Sequence, residues 1–201
     1  STSLKFRLFR FDGAGGAALL AKGGYERVTD YGKAIDDCLA ELEAAGHVSS
    51  SADVHGVGFK TVLGKDLTGC VPADDRVIAA LEGFKEIAPA HNPPYVAGIQ
   101  RFREKLPGVP LVALFETAFY QWMPEAAKRY AVPAAWHEAG VRRYGFHGAS
   151  HKFVAERSAE LLGRNDIADR VRRLYQAGPV PTRGRPLRVI SCHLGGSSSV
   201  K

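Results

Sequence analysis

The hydrophobic residues of the chain recur at every second position in some segments and at every third or fourth position in others. Leu4, Phe6 and Leu8 alternate with polar residues, which predicts a first β-strand. A glycine-rich turn at residues 13–16 and an apolar run at 17–20 predict a returning strand. The chain is therefore expected to open with a β-hairpin.

Helical spacing alternates with short apolar strands over the rest of the chain. Asp30 is the expected N-cap of the first helix, and Asp74 or Asp75 that of the second. The predicted helices cover residues 31–45, 75–84, 95–106, 125–130, 134–139 and 151–162. The predicted strands after the hairpin cover residues 54–63, 109–115 and 187–191. This order predicts an α/β fold with a mainly buried sheet.

Two proline-rich segments are predicted to be loops. Residues 91–94 read His-Asn-Pro-Pro, and proline both fixes φ and lacks a backbone donor. Residues 178–186 contain three prolines and two glycines. Neither segment is expected to contribute to a helix or a strand.

Composition places the chain among ordinary globular proteins. Its 201 residues are 45% hydrophobic and 24% charged. The three cysteines lie far apart without a CxxC pair, which argues against a disulfide framework or a cysteine zinc site and favours a reducing cytoplasm. The apolar run at 109–115 is far shorter than a membrane span, and no charged-then-apolar leader opens the chain. We therefore expect a cytoplasmic protein with no membrane partner.

The net charge of +6 is compatible with nucleic acid, an anionic membrane or small anionic substrates. The basic residues are scattered, their densest run lies at 164–188, and no aromatic–basic RNA motif accompanies them. We therefore expect a solvated basic face and no nucleic-acid partner.

Residues 142–151 carry two guanidinium groups, two imidazoles and two glycines just before a predicted helix. Glycine lets backbone amides approach a ligand, a helix N-terminus favours anions, and an imidazole can stabilise charge during phosphoryl transfer. The alternative is an ordinary turn in which Ser150 is the N-cap and His147 and His151 are partly exposed. The residues alone leave both interpretations open.

Three other features could take part in chemistry. Glu116 follows the predicted buried strand at 109–115, where a carboxylate can orient Mg²⁺ or a nucleophile, or serve only as a solvated or capping acid. The glycine-rich residues 195–199 follow a predicted strand and suit either a phosphate cradle or a flexible loop. Cys192 and His193 are adjacent in a strand and point to opposite faces, so a thiol nucleophile is not expected.

Five segments resemble, in chain order, motifs of the acetate kinase family, which lies within the acetate and sugar kinase–Hsp70–actin superfamily. They are Ser-Thr-Ser-Leu-Lys-Phe at residues 1–6, His-Asn-Pro-Pro at 91–94, Phe-Glu-Thr-Ala-Phe at 115–119 with Met-Pro at 123–124, Arg-Arg-Tyr-Gly-Phe-His-Gly-Ala-Ser-His at 142–151, and Cys-His-Leu-Gly at 192–195. The segment at 142–151 differs from the family's pattern at one position and is the most specific of the five.

The resemblance implies an actin-like, ribonuclease H-like lobe with a mixed sheet and flanking helices, followed by the start of a second similar lobe. The expected division is residues 1–118 for the first lobe, without its opening residues, and 119–201 for the beginning of the nucleotide-binding lobe. The match begins just after the family's first phosphate motif, so the chain is expected to correspond to the N-terminal half of a member. A complete enzyme is expected to be a homodimer.

The implied reaction is the reversible transfer of the γ-phosphoryl group of ATP to acetate, with Mg²⁺, giving acetyl phosphate and ADP. The implied catalytic residues are His147, which stabilises the phosphoryl group, and Glu116, which stands where the family has an aspartate tied directly or indirectly to Mg²⁺. The implied acceptor-binding residues are Lys60, which holds the carboxylate, Val62 and Phe146, which line the methyl pocket, and His91. The residues expected near the nucleotide phosphates are Ser3, Lys5, His193, Gly195 and Gly196.

The chain departs from the family's pattern at three of these places. Glu116 is one methylene longer than the family's aspartate, and Lys60 offers a point charge where the family has a planar arginine. Leu63 replaces a histidine. Two alternatives remain open beside an acetate kinase: a propionate or short-chain acyl kinase, separated only by pocket size, and a truncated non-catalytic remnant that binds a ligand or a partner.

Overall fold

The computed structural model of the chain describes residues 3–13, 16–64, 66–177 and 184–201. Helices and strands alternate in a mixed α/β arrangement, as the sequence predicts. The chain forms two compact units, one of residues 1–65 with 72–113 and the other of residues 66–71 with 114–201. The expected lobe boundary between residues 118 and 119 stays a prediction.

The first unit opens with the predicted hairpin. Strands β1 (Leu4–Phe11) and β2 (Ala17–Tyr25) are antiparallel, and their register shifts at a bulge between Leu8 and Phe9. The returning strand is longer than predicted, because its pairing continues to Tyr25 opposite Leu4. Two residues of the predicted turn, 14 and 15, lie outside the described residues.

Helix α1 (Tyr31–Ala44) matches the predicted helix closely. The Asp30 side chain accepts a hydrogen bond from the Lys33 amide at 3.0 Å, which confirms the predicted N-cap. Its buried Cys38 and Leu42 pack, together with Val48, against apolar residues of the hairpin. Burial raises the pKa of the Cys38 thiol to about 11, so this cysteine acts as a core residue.

A three-stranded sheet contains β3 (Val57–Thr61), β4 (Cys70–Pro72) and β5 (Leu111–Phe115) in the order β3-β5-β4. The Ala73 amide donates to Leu111 and the Phe115 amide to Gly69, so β4 and β5 run antiparallel. Strands β3 and β5 are shorter than predicted. At the start of β5, Pro110 has no amide to donate and contributes only its carbonyl, which accepts from Val57.

Two further helices complete the first unit, and the second of them corrects a prediction. Helix α2 (Asp75–Gly83) has Asp74 as its N-cap, as expected. Helix α3 (Asn92–Lys105) begins within residues 91–94, which were expected to form a loop. Its two prolines occupy the first turn, where backbone amides have no intrahelical acceptor, so proline costs nothing there. The predicted helix from residue 95 therefore starts three residues earlier.

The second unit contains a short 3-10 helix (Ala118–Tyr120) and five α-helices within its described residues, followed by a short hairpin. Their bounds are α4 (Glu125–Lys128), α5 (Ala134–Glu138), α6 (Gly148–Leu161), α7 (Asn165–Arg172) and α8 (Leu174–Ala177). The hairpin pairs β6 (Cys192–His193) with β7 (Ser199–Val200) in antiparallel fashion. The expected strand at 187–191 is absent from these described positions, and the helix predicted from residue 151 starts at Gly148.

Helices α7 and α8 were not predicted, because both are short, with eight and four residues. Arg172 of α7 forms ion pairs with Glu156 at 3.0 Å and Glu160 at 2.6 Å, both on α6. Part of the basic run at 164–188 is therefore paired with acidic side chains at the surface, where the Arg172 side chain is still 51% exposed. Residues 178–183 of the predicted loop lie outside the described residues. In the part of the chain that is described, no helix is both long and apolar enough to span a membrane.

Candidate active site

Glu116 follows directly after β5 and is buried, with 6% of its surface exposed. Its Oε2 atom accepts a hydrogen bond from the His147 amide at 2.7 Å. Its carbonyl oxygen accepts a second one from the Gly148 amide at 3.1 Å. The two strongest motifs of the sequence, at residues 115–119 and 142–151, are thus joined through both the side chain and the backbone of Glu116.

The backbone turns sharply where it meets Glu116. His147 has a φ of 58° and a ψ of 29°, in the left-handed region that residues other than glycine seldom adopt. Gly148 follows as the first residue of α6, and a Cβ atom there would overlap the carbonyl oxygen of Glu116. The sequence His-Gly therefore satisfies a close approach that a larger residue at position 148 would prevent.

Tyr120 supports the same segment from the other side. Its hydroxyl donates to the carbonyl oxygen of Phe146 at 2.8 Å, and a Cβ atom on Gly145 would overlap its ring. Burial, with a smaller contribution from the Glu116 charge, raises the pKa of Tyr120, so the phenol remains a donor at neutral pH. The segment that leads into α6 is therefore fixed by packing as well as by hydrogen bonds.

Two imidazoles are stacked beside Glu116. The rings of His147 and His193 lie 4.0 Å apart between centroids and are inclined by 13°. His147 Nδ1 lies 2.9 Å from the Ser199 hydroxyl, and His193 Nδ1 lies 3.0 Å from the Ser150 hydroxyl. Residues from α6 and from the β6–β7 hairpin thus meet around one pair of rings.

A third histidine lies beneath this pair. His151 is 1% exposed, with Nδ1 2.7 Å from the Ser191 hydroxyl and Nε2 2.8 Å from the Ser199 hydroxyl. Burial, followed by the charge of Lys201, lowers its pKa, so His151 is neutral at physiological pH.

These observations contradict the alternative of an ordinary turn at residues 142–151. His151 is buried rather than partly exposed, and the N-cap position of α6 is held by His147. Ser150, the expected N-cap, lies inside the helix, and its hydroxyl contacts His193. The physical reason is the left-handed conformation of His147, which lets the helix begin three residues earlier than it would with Ser150 as its N-cap.

The β6–β7 hairpin carries the glycine-rich loop, which lies in the same compact unit as Glu116 and His147. His193 pairs with Ser199, and the connecting residues include Gly195 and Gly196, both exposed. Within the loop, the Ser198 hydroxyl donates to the Gly195 carbonyl at 3.2 Å. Exposed backbone amides in such a loop are suited to binding phosphate oxygens.

The remaining predicted site residues are distributed over both units. Phe146, 39% exposed, is in the same unit as Glu116 and His147. The others lie in the first unit: Ser3 precedes β1, Lys5 lies on β1, Lys60 lies on β3, Val62 follows β3 and His91 occupies the N-cap position of α3. The Lys5 ammonium lies 3.7 Å from a Glu26 carboxylate oxygen, on the exposed surface.

The sequence indicated the histidines but not the hydroxyl groups between them. Ser191 and Ser199 lie 40 and 48 residues from His151 along the chain. Serine is common in loops, and no spacing distinguishes a serine that contacts a buried imidazole. Tyr120 was also missed, although its position five residues after β5 places it close to Glu116 in the chain.

The described residues contain no group of three or more His, Cys, Asp or Glu side chains that could hold a metal ion. Mg²⁺, however, is commonly bound through one or two carboxylates together with substrate phosphates and water. Glu116 supplies a buried carboxylate of this type beside a helix start, so the donor chemistry fits a Mg²⁺ ion that arrives with a nucleotide. Acid, stacked imidazoles and a glycine-rich loop within one unit are suited to phosphoryl chemistry.

Comparison with known proteins identifies close relatives. Acetate kinase of Bacillus cytotoxicus is 38% identical over 224 aligned positions, which include 100% of this chain and 51% of that protein. Acetate kinase of Bacillus subtilis is 36% identical over the same shares of the two chains. The chain spans about half the length of the curated relatives it matches.

Solved structures give the same picture. The fold matches Porphyromonas gingivalis acetate kinase with a TM-score of 0.68 and 30% identity, over 96% of this chain and 44% of that one. It matches a propionate kinase from Francisella tularensis with a TM-score of 0.60 and 27% identity, over 74% of this chain and 39% of that one. Both matches support the expected actin-like lobe with a mixed sheet.

The model of a family described as "Acetokinase family" matches residues 21–174. This range includes β5, Glu116 and the whole of α6, so it covers the elements around the stacked histidines except the β6–β7 hairpin. Because the match takes in well over half of the chain, the protein belongs to the acetokinase family.

Proposed function

We propose that this chain carries the phosphoryl-transfer half of an acetate kinase, which transfers the γ-phosphoryl group of ATP reversibly to acetate and forms acetyl phosphate and ADP. One observation carries the proposal: within a single compact unit, the His147 amide binds the Glu116 carboxylate at 2.7 Å, and the His147 ring stacks on His193. Glu116 and His147 lie in two of the segments that resemble the family's motifs, at residues 115–119 and 142–151.

In the proposed reaction, a carboxylate oxygen of acetate forms a bond to the γ-phosphorus while the bond from that phosphorus to the bridging oxygen of ADP breaks. Negative charge is spread over the equatorial oxygens of the phosphoryl group in flight. His147 donates a hydrogen bond to one of these oxygens, and its position is defined in advance by Glu116 and His193. A donor fixed before the reaction stabilises the transition state without reorganisation.

Glu116 would hold a Mg²⁺ ion, directly or through water, that arrives with ATP. When bound, such an ion would supply positive charge that offsets the charge of the nucleotide phosphates. His193, Gly195 and Gly196 of the hairpin contact the nucleotide phosphates. The family resemblance also assigns Ser3 and Lys5 to phosphate binding. The extra methylene of Glu116 relative to the family's aspartate is accommodated by the bond from its Oε2 to the His147 amide.

The family resemblance assigns acceptor binding to Lys60, Val62 and His91 of the first unit, and separately to Phe146 of the second. In these roles the Lys60 ammonium would bind the acetate carboxylate as a point charge, and Val62 and Phe146 are the residues assigned to its methyl group. Propionate needs one more methylene of space in the same pocket, which is worth about 1–3 kcal/mol of discrimination at most. A homodimer, a cytoplasmic location and the lobe boundary at residue 118 remain predictions from the sequence.

The test is formation of acyl phosphate by the purified 201-residue protein, trapped as the hydroxamate, with Mg-ATP and either acetate or propionate. We expect product with acetate and less with propionate. Faster turnover with propionate would replace acetate with propionate as the substrate. Binding of ATP or acetate by calorimetry without any acyl phosphate would contradict the kinase and support the non-catalytic alternative.

The assignment of His147 is tested separately. His147→Ala and His147→Asn should each reduce turnover by about 10²- to 10⁴-fold, because each removes the imidazole donor. Asparagine tolerates the left-handed conformation, so this variant separates lost chemistry from backbone strain. His47→Ala, at an exposed histidine of the first unit, is the matched control and should retain full turnover. Unchanged turnover in both His147 variants would exclude the proposed role.

A further inference from the structure

We infer that Ser199, His151 and Ser191 form a hydrogen-bonded relay that fixes the imidazole of His147 as the tautomer protonated at Nε2. The Ser199 hydroxyl lies 2.9 Å from His147 Nδ1 and 2.8 Å from His151 Nε2. The other nitrogen of His151, Nδ1, lies 2.7 Å from the Ser191 hydroxyl. The four side chains therefore form one continuous chain of hydrogen bonds.

The hydrogen atoms in this chain are not independent. A serine hydroxyl carries one hydrogen, and a neutral imidazole donates from one nitrogen and accepts at the other. If Ser199 donates to His147, it must accept from His151 Nε2, and His151 Nδ1 then accepts from Ser191. Reversing one bond reverses all of them. If His147 and His151 both donated to the Ser199 oxygen, the Ser199 hydroxyl hydrogen could bond to neither imidazole.

The direction of the relay rests on the proposed function. A phosphoryl oxygen can only accept, so a neutral His147 must donate to it from Nε2 and must accept at Nδ1. The nearest donor to Nδ1 is Ser199, which fixes the direction of every other bond: Ser191 donates to His151, His151 to Ser199, and Ser199 to His147.

The fold holds the two serines on either side of His151. Ser191 and Lys201 exchange backbone hydrogen bonds of 2.8 and 2.9 Å, and His193 pairs with Ser199 one step further along the hairpin. The Tyr120 ring packs edge-on against His151, at 6.3 Å between centroids. Because His151 is almost wholly buried, water is largely excluded from its ring nitrogens. Ser199, His151 and Ser191 are thus positioning residues that act through His147.

The first experiment measures tautomers directly. The protein is labelled with ¹⁵N-histidine, and long-range ¹H–¹⁵N correlation spectra are recorded at pH 8, with His147→Gln and His151→Gln used for assignment. We expect both His147 and His151 as single Nε2-protonated tautomers. Ser199→Ala should convert the His147 signal to an exchange-averaged mixture, and Ser199→Thr should restore the single tautomer. Ser158→Ala, which deletes a hydroxyl in the C-terminal half of α6, is the control and should leave the tautomers of His147 and His151 unchanged.

A second readout applies if the protein makes acyl phosphate. Ser199→Ala should lower kcat by about 10- to 100-fold, the range seen for outer partners that orient an imidazole. KM for ATP and acetate should change by less than about threefold, because His147 Nε2 acts mainly in the transition state. Ser199→Thr should recover most of kcat, whereas a purely structural role would not distinguish threonine from alanine in this way.

The results test the relay and the proposed kinase function separately. His147 protonated at Nδ1 in the wild-type protein, or unchanged tautomers in Ser199→Ala, would overturn the relay even if the protein is an active kinase. A wild-type protein with the expected tautomers but no acyl phosphate would support the relay and contradict the proposed function. Should Ser199→Ala fail to fold, Ser191→Ala provides the same test at the other end, since His151 should then lose its single tautomer.

Discussion

At the scale of single residues, the site depends on close approaches that leave no room for substitution. Gly148 faces the carbonyl oxygen of Glu116, and Gly145 faces the ring of Tyr120. Neither glycine has a positive φ, so their role is to provide space rather than conformational freedom. The bond from the Gly148 amide to the Glu116 carbonyl oxygen therefore depends on the absence of a side chain at position 148.

Gly148→Ala should therefore destabilise the protein, by about 1–3 kcal/mol, because the added methyl group must displace the Glu116 backbone. The measurement is the urea concentration at the midpoint of unfolding, with unfolding monitored by fluorescence. Gly83→Ala is the control, since a Cβ atom on Gly83 meets nothing within 4 Å. Equal midpoints for Gly148→Ala and the wild-type protein would show that the segment can move aside without cost.

A second residue with a dense set of contacts is Asn92, the buried first residue of α3. Its Nδ2 donates to the carbonyl oxygens of Leu63 at 3.2 Å and Leu81 at 2.9 Å. Asn92→Ala should cost about 1–3 kcal/mol, because both bonds are lost in a buried setting. Asn165→Ala, at the exposed start of α7, is the matched control. A urea midpoint lowered equally by both substitutions would contradict this account.

At the scale of elements, helix α2 depends on Asp74, the N-cap residue that precedes it. The Asp74 side chain accepts from the amides of Arg76 at 3.0 Å and Val77 at 3.2 Å. A hydrogen bond from the Arg76 side chain, together with these amide bonds, lowers the pKa of Asp74. The carboxylate is therefore ionised at neutral pH and also suits the positive end of the helix.

Asp74→Ala should lower the free energy of unfolding by about 1 kcal/mol, the usual cost of removing an N-cap acceptor. Asp74→Asn keeps an acceptor and should lose less. Thermal unfolding followed by circular dichroism provides the comparison, with Glu82→Ala on the same helix as the control. If alanine and asparagine were equivalent at position 74, the cap would not be the source of the stability.

How far the sequence predicts an element depends on what stabilises that element. Periodicity located α1 and β5, because apolar burial determines both. It missed α7, because this helix is only eight residues long and its apolar face is limited to Ile167, Ala168 and Val171. It also placed the start of α3 at residue 95 instead of 92, because proline breaks a helix in its interior but is tolerated in its first turn.

The same distinction holds for the site. The motif at 142–151 indicated His147, the end of the predicted strand at 109–115 indicated Glu116, and the resemblance added His193. The left-handed conformation of His147 and the hydroxyl contacts of Ser199 could not be predicted, because they arise only when segments 48 and 52 residues apart meet.

At the scale of the whole molecule, His151 couples folding to pH. Burial lowers its pKa in the folded protein, while in the unfolded chain the pKa is about 6.5. The unfolded chain therefore binds a proton more readily, so this contribution to stability is present above about pH 6.5 and declines as the pH falls towards the folded-state pKa.

Between pH 7.5 and pH 5.5 the wild-type protein should therefore lose more stability than His151→Gln, whose side chain does not titrate. Urea midpoints at both pH values give the comparison. His47→Gln, at an exposed position, should behave as the wild-type protein does. Identical losses in the wild-type protein and His151→Gln would mean that other groups account for the acid sensitivity.

The division into units has a consequence for how the chain folds during synthesis. Residues 66–71 belong to the same unit as residues 114–201. Within that unit, Asp66 accepts a hydrogen bond from Arg142, Thr68 contacts Thr117, and the Gly69 carbonyl accepts from the Phe115 amide. The intervening residues 72–113 take roughly 2–8 s to translate at ordinary ribosomal rates. Residues 66–71 are therefore synthesised seconds before the partners that they contact in the folded unit, and we expect the translation rate between residues 72 and 113 to affect how this unit folds.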